Sequence, residues 1–256
     1  MGTFAVFSLL ALQVNPPVPA PFTDTKTAAA AVEAQSRSKP ELAAEMRGDI
    51  AMARKEYRQA IDHYKSVQPG TYVTYNKIGI AYHQLTEMDT AARYYERAIK
   101  AKRDYPEAIN NLGAIFYAQR SYRRAVNQYN RALKFTPNSA SIHSNLGTAW
   151  FARKNYQRAS VEYQKALELD PEVFEHRSSN GVLLQERSVG ERAKFHYYLA
   201  KTYAKAGVPD RALQYMRKAL EEGFKERKKF VEDPEFASLQ QLPEFKELLA
   251  SNPRVL

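Results

Sequence analysis

The sequence predicts an all-α fold assembled from a repeated unit, and three observations predict it. Three segments of the chain align with one another without gaps, and the glycines that mark them, Gly79, Gly113 and Gly147, fall 34 residues apart. Within each segment the recurring residues are spaced by three and four, which places them on one face of a helix. The recurring places also keep a fixed order of size: a small residue, an aromatic three places on, then Ala-x-x-x-Tyr and a further Ala. Self-similarity at such a period marks a stacked array in which each unit covers the apolar face of its neighbour.

Taken in order, Tyr75-x-x-Ile78-Gly79-x-x-Tyr82 continues to Ala91-x-x-x-Tyr95 and Ala98. Ile109-x-x-Leu112-Gly113-x-x-Phe116 continues to Ala125-x-x-x-Tyr129, Ala132 and Pro137. His143-x-x-Leu146-Gly147-x-x-Trp150 continues to Ala159-x-x-x-Tyr163, Ala166 and Pro171. Two copies are degenerate. His196-x-x-Leu199-Ala200-x-x-Tyr203 leads to Ala212-x-x-x-Met216 and Ala219, and near the other end Gly48 is followed by Ala60-x-x-x-Tyr64. The frames are therefore 41–71, which is short, 72–105, 106–139, 140–173 and 193–226. Each is expected to fold as two antiparallel helices that cross closely at the small residue. Tyr82, Phe116 and Trp150 are expected to fill the space that the small residue leaves, and Pro137 and Pro171 to stop the second helix.

The anchors and their period resemble the tetratricopeptide repeat (TPR). The resemblance covers residues 41–226 and implies a right-handed superhelical solenoid of antiparallel helix pairs. It also implies a non-enzymatic scaffold that binds a protein or peptide in the groove lined by the first helix of each pair. Carried over place by place, the groove residues are Asn76, Lys77, Ile80, His83 and Gln84 in the second repeat, and Asn110, Asn111 and Tyr117 in the third. The fourth contributes Ser144, Asn145, Thr148 and Phe151, and the fifth Lys194, Tyr197, Tyr198, Lys201 and Lys205. An amide both donates and accepts, so Asn111 and Asn145 are expected to hold an extended backbone without reading its side chains. Tyr117 and Phe151 are expected to grip apolar side chains and, like the two amides, to point away from the repeat core. The two-carboxylate clamp of chaperone-binding TPRs is missing: Ile80 or Ala114 stands where it needs an Asn, and Ser141 and Asn145 where it needs Lys and Arg.

Both ends and one interior stretch depart from the repeat. Phe4–Leu12 is apolar but too short to cross a bilayer as a helix. With Val18-Pro19-Ala20 behind it, residues 1–20 read as a signal peptide, although no Lys or Arg precedes the apolar run and Pro21 would follow the cut. The expectation is an exported chain, periplasmic or secreted, with a flexible linker over 21–40; the alternative is a cytoplasmic chain. Residues 174–192 interrupt the array. Asn180-Gly181 is a turn signal, Val182–Leu184 an apolar patch, and Ser188 with Glu191 a capping box that restarts a helix near Val189. This insert reads equally as a functional loop or as a drifted repeat. After Gly223, Asp233-Pro234 and Leu242-Pro243 each begin a short helix. Residues 227–256 are expected to cap the last open pair, with Phe236, Leu239, Phe245, Leu248 and Leu249 inward; the segment resembles the tail of many bacterial TPR proteins.

Composition narrows the chemistry. The chain has 256 residues and no cysteine, which excludes disulfides, thiolate metal sites and a cysteine nucleophile. The formal net charge of +10 would suit nucleic acid or an anionic surface, but the basic residues are dispersed except for the run Lys225, Arg227, Lys228 and Lys229. A nucleic-acid partner is accordingly the weaker reading. The sequence has no HExxH, no phosphate-cradling glycine loop and no G-x-S-x-G, so neither a catalytic set nor a cofactor is called for. The five histidines, His63, His83, His143, His176 and His196, are scattered. His143 and His196 take the repeat place of Tyr75 and Ile109, so they are expected to be packing residues.

Overall fold

A computed structural model describes residues 43–175 and 189–251, and every regular element among them is helical. The chain divides into two compact units, Met1–Ala43 and Ala44–Leu256. The expected signal peptide and linker, the stretch 176–188 of the insert and the last residues of the cap lie outside the described residues.

Helices α1 (43–53) and α2 (Tyr57–Lys65) form the first pair, and α3 (Tyr72–Gln84) and α4 (Met88–Ala101) the second. The third pair is α5 (Pro106–Ala118) and α6 (Tyr122–Leu133), the fourth α7 (Ala140–Ala152) and α8 (Tyr156–Leu169). The fifth is α9 (Val189–Lys205) and α10 (Pro209–Glu221). Contacts run within each pair, from the second helix of one pair to the first of the next, and between the first helices α3, α5 and α7. This is a TPR-type solenoid, with the core strung along it in overlapping patches. The repeated alanines Ala60, Ala98, Ala132, Ala166 and Ala219 are wholly buried where helices meet.

The glycines sit where a second helix presses on the first. A methyl group on Gly113 would stand 2.7 Å from the ring of Tyr129, and Gly79 and Gly147 face Tyr95 and Tyr163 in the same way. Real carbon contacts are never so short, so any side chain at that place forces the tyrosine out. The residues that use the glycine's space are thus the fully buried Tyr95, Tyr129 and Tyr163, not Tyr82, Phe116 and Trp150. Those three lie further along the first helix. Phe116 carries the guanidinium of Arg124 on its face at 3.7 Å, and Trp150 is flanked by Arg153 and Arg158 at 4.8 and 4.6 Å.

The turn inside each pair is built one way throughout. The residue after the first helix's cap has positive φ: Lys55 at 61°, Thr86 at 61°, Arg120 at 58°, Lys154 at 61° and Gly207 at 72°. Around Thr86 the amides of Thr86 and Glu87 donate to the carbonyls of His83 and Tyr82, and the other four turns repeat this double bond. It is the Schellman closure of a helix C-terminus. Only the fifth pair supplies the glycine that the conformation favours.

Beyond α10 the chain ends its helix on Gly223, φ 82°, with Gly223 and Phe224 donating to Leu220 and Ala219. Helix α11 (Lys229–Glu232), a 3-10 turn (Pro234–Phe236) and α12 (Pro243–Ala250) follow, each of the last two opening on its proline. Phe230, Phe236, Leu239, Phe245 and Leu248 are buried against the fifth pair. Two of the four residues of the basic run are engaged inside this segment, and Lys225 and Lys228 stay exposed. Arg227 donates to the carbonyls of Leu249 and Ser251 at 2.8 and 2.6 Å, closing α12, and Lys229 pairs with Glu226.

Candidate functional site

The groove residues carried over from the resemblance fall on the first helices α3, α5, α7 and α9. They do not form one set. Asn76, Asn110, Asn111, Asn145 and Thr148 are buried, at 2–6% exposure. Their amides are joined in rungs: the Asn111 side-chain N–H donates to the Asn76 oxygen at 3.1 Å, and Asn145 donates to Asn110 at 3.1 Å. In both rungs the sixth place of one repeat donates to the fifth place of the repeat before. The first boundary keeps the rule with charge in place of amides, since Lys77 donates to Glu45 at 2.7 Å and also to Asp49 at 2.8 Å. Burial would lower the Lys77 ammonium, but the two carboxylates outweigh it and hold it above its usual range. The amides expected to hold a partner's backbone are thus engaged in holding first helices to one another. An unpaired buried amide is costly, so the rungs fix the stagger between repeats.

Phe151 departs furthest from expectation. It does not face away from the core: it is 4% exposed and packs edge-to-face with Tyr156, Phe195 and Tyr198 at 5.2, 5.5 and 5.8 Å. The reason lies in the fifth pair. There Phe195 and Tyr198 rise toward α7, where the second and third pairs offer smaller or polar residues. Tyr117, at the same repeat place, stays half-buried beside Tyr122 at 5.3 Å. Ile80, His83 and Ser144 are also half-buried. Burial pushes the His83 imidazole below its ordinary range, so it is neutral at pH 7. Thr148 donates to the Ser144 carbonyl at 2.9 Å and receives the Tyr163 hydroxyl at 3.4 Å.

The fifth pair reverses the chemistry. Tyr197 donates its hydroxyl to Asp233 of the cap, and Lys201 pairs with Asp233 and Glu235 at 2.9 and 3.1 Å. Both therefore serve to seat the cap. His143 and His196 are mostly buried, as expected of packing residues, and His196 lies 5.8 Å from the Tyr215 ring; their Nδ1 atoms also meet Glu162 at 2.7 Å and Glu222 at 2.6 Å, tying each first helix to its second. Sequence reasoning missed a structural use of the insert's first residues. Phe174 meets Tyr163 and Tyr203 edge-on at 5.5 and 6.2 Å, Glu175 accepts from the Tyr215 hydroxyl at 3.0 Å, and Arg211 spans Glu172 and Glu175. An aromatic followed by an acid after Pro171 was the available signal.

No group of three His, Asp or Glu side chains among the described residues could hold a metal. No described helix is long and apolar enough to cross a membrane.

No curated protein matches the sequence. Among solved structures, MamA from Desulfovibrio magneticus RS-1 (residues 41 to the end) is 17% identical with a TM-score of 0.51, covering 72% of this chain and 94% of that one. A further MamA crystal structure is 18% identical at a TM-score of 0.51, covering 77% and 97%. The APC/C hetero-tetramer Cut9–Hcn1 is 19% identical at 0.52, covering 82% of this chain but 35% of that one. At such identities these neighbours speak to the fold alone. The sequence itself matches three repeat-family profiles: one described as TPR repeat over residues 115–152, and two described as tetratricopeptide repeat over 72–105 and 140–173. Together with the paired helices and the glycine–tyrosine crossings, these matches identify the chain as a tetratricopeptide-repeat protein.

Proposed function

We propose that the chain is a non-enzymatic scaffold and that a protein or peptide segment docks along the first helices α3, α5, α7 and α9. One observation carries the reading. The middle of that face combines half-buried Ile80, Tyr117 and Ser144 with a floor of amides already paired to each other, so its ionic demands are met internally. A surface of this kind binds by shape and aromatic area, with a neutral floor that costs little to desolvate. The rungs change the expected division of labour. Asn111 and Asn145 hold the surface in shape, and Tyr117 makes the contact.

The test uses a partner captured by the intact chain and identified by mass spectrometry. Ser144→Arg puts a long cation into the middle of the face, whereas Val161→Arg alters the 61% exposed surface of α8. Ser144→Arg is expected to weaken binding at least about tenfold at unchanged melting temperature, and Val161→Arg to leave it alone. Equal binding by both variants would remove the first-helix face as the site. Binding that collapses with salt and is indifferent to both would favour the nucleic-acid reading.

A further inference from the structure

The lysines along the first-helix face differ in how they are satisfied. Lys77 has Glu45 and Asp49, and Lys201 has Asp233 and Glu235. Lys229, which approaches the same end from α11, has Glu226. Lys194, half-buried on α9, has no carboxylate within ion-pair distance among the described residues. Its ammonium rests instead on the ring of Tyr156, 4.2 Å from the centroid. A partly desolvated ammonium held only by a ring face keeps its capacity for an anion, because the quadrupole replaces only part of its hydration.

The surroundings of Lys194 are preformed. Tyr156 of α8 and Tyr198 of α9 stack at 4.9 Å with their planes 15° apart, bridging the fourth and fifth pairs. The buried Phe151 ring packs against both at steep angles, 64° and 78°. The stack is thus held from the core side while both tyrosines remain half-buried. The Tyr198 hydroxyl has no hydrogen-bond partner among the described residues. Burial raises its pKa, while Lys194, Lys229 and Lys201 act on it in the opposite sense, so three ammonium groups lie within electrostatic reach of one phenol. It is therefore a protonated donor at neutral pH.

We propose that Lys194, Tyr198 and Tyr156 form a subsite for one acidic side chain of the docked segment. The carboxylate is received by the Lys194 ammonium and the Tyr198 hydroxyl, and a neighbouring apolar residue of the segment lies on the tyrosine stack. This rests on the reading of the first-helix face given above and adds a polarity to it. The segment runs with its neutral part over the amide floor of α3, α5 and α7 and its acidic residue at α9. The charge distribution favours this occupant over a basic one, because Asp233, Glu235 and Glu226 are already paired with Lys201 and Lys229, whereas Lys194 has no such partner among the described residues. An anion meeting both a cation and a phenol gains directional hydrogen bonds as well as charge, and that combination selects a side chain by geometry.

The test is a positional-scanning library of ten-residue peptides retained by the immobilised full chain. The native chain should enrich Asp or Glu over Asn or Gln at one position by about tenfold. Lys194→Met keeps the aliphatic stem on the Tyr156 ring and should abolish that preference while still retaining peptides. Lys194→Glu should turn the preference toward Lys or Arg. Lys225→Met, on an exposed basic residue outside the face, should change nothing. Melting temperatures within a few degrees of the native chain confirm that each variant is folded. An acidic preference that survives Lys194→Met, or that is lost equally in Lys225→Met, overturns the subsite. Peptides whose retention is lost with Ser144→Arg but which show no acidic preference overturn the subsite and leave the first-helix face standing. Peptides indifferent to Ser144→Arg overturn the reading of the face, and an absence of any retained peptide counts against both.

Discussion

The third and fifth pairs solve the same crossing with different side chains. In the third, Gly113 lies under the ring of Tyr129; in the fifth, Ala200 and Met216 occupy the corresponding places, both fully buried. A flexible thioether yields to a methyl group where a rigid ring cannot, so the small and large residues are one steric couple and change together. The difference extends to the surfaces. The first helices of the second to fourth pairs spend their polar side chains on each other, in amide rungs, and present a neutral face. The fifth spends Tyr197 and Lys201 on the cap and leaves Lys194 over. A solenoid's middle is constrained by its neighbours on both sides, whereas its last unit must meet an unlike partner.

The largest expected effect is at the junction between these two regions. Phe151→Ala removes a buried ring that three aromatics pack against, and should cost about 3–5 kcal/mol in chemical denaturation. Tyr117→Ala, at the same repeat place but half-buried, should cost clearly less. Similar losses at the two positions would mean that the junction is no more aromatic in substance than the middle. Next is the crossing itself. Gly113→Leu should cost about 1–3 kcal/mol or more by overpacking. Gly113→Ala should cost less, and pairing it with Tyr129→Met, which copies the fifth pair, should recover most of that loss. Additive losses in the pair would break the claim that the two residues act as one couple.

Smaller effects concern the tyrosine hydroxyls. Tyr64 donates to Asp49 at 2.7 Å, whereas the hydroxyls of Tyr95 and Tyr129 are buried without a partner among the described residues. The cause is the ninth place of each repeat, which is Asp49 in the first and Ile80 and Ala114 in the next two. Tyr64→Phe should therefore cost about 1 kcal/mol, and Tyr129→Phe nothing or a slight gain. The smallest is a stabilisation. Thr86 is β-branched and holds φ at 61°, so Thr86→Gly should raise stability by about 0.5–1 kcal/mol. Gly207→Ala, at the matching turn of the fifth pair, should lower it. A loss at Thr86→Gly would show that this turn is held by contacts of the threonine side chain.

The helix pairs and the cap were legible because their signals are local. Gly, Ala and Tyr recur at fixed spacing, and Pro106, Pro209, Pro234 and Pro243 each open a helical element. The repeated turn was not legible, since Lys55, Thr86, Arg120 and Lys154 give no sign of the positive φ that the crossing imposes on them. The face was read only in part. Repeat register put Asn76, Asn110, Asn111 and Asn145 on the first helices, but pairing at a separation of 35 residues depends on the stagger between repeats, which no single helix encodes. Phe151 was misassigned for the same reason: its place matches Tyr117, but its neighbours come from α9, across an insert that breaks the period.

The claim that matters most is that the first-helix face, and not the opposite surface, meets the partner. The direct measurement is the dissociation constant for the captured partner with Tyr117→Ala on α5 and Val161→Ala on α8, both checked for native melting. Tyr117→Ala should weaken binding by about five- to thirtyfold, the worth of about 1–2 kcal/mol of aromatic contact, and Val161→Ala should leave it unchanged. Unchanged affinity with Tyr117→Ala, or a loss confined to Val161→Ala, would contradict it.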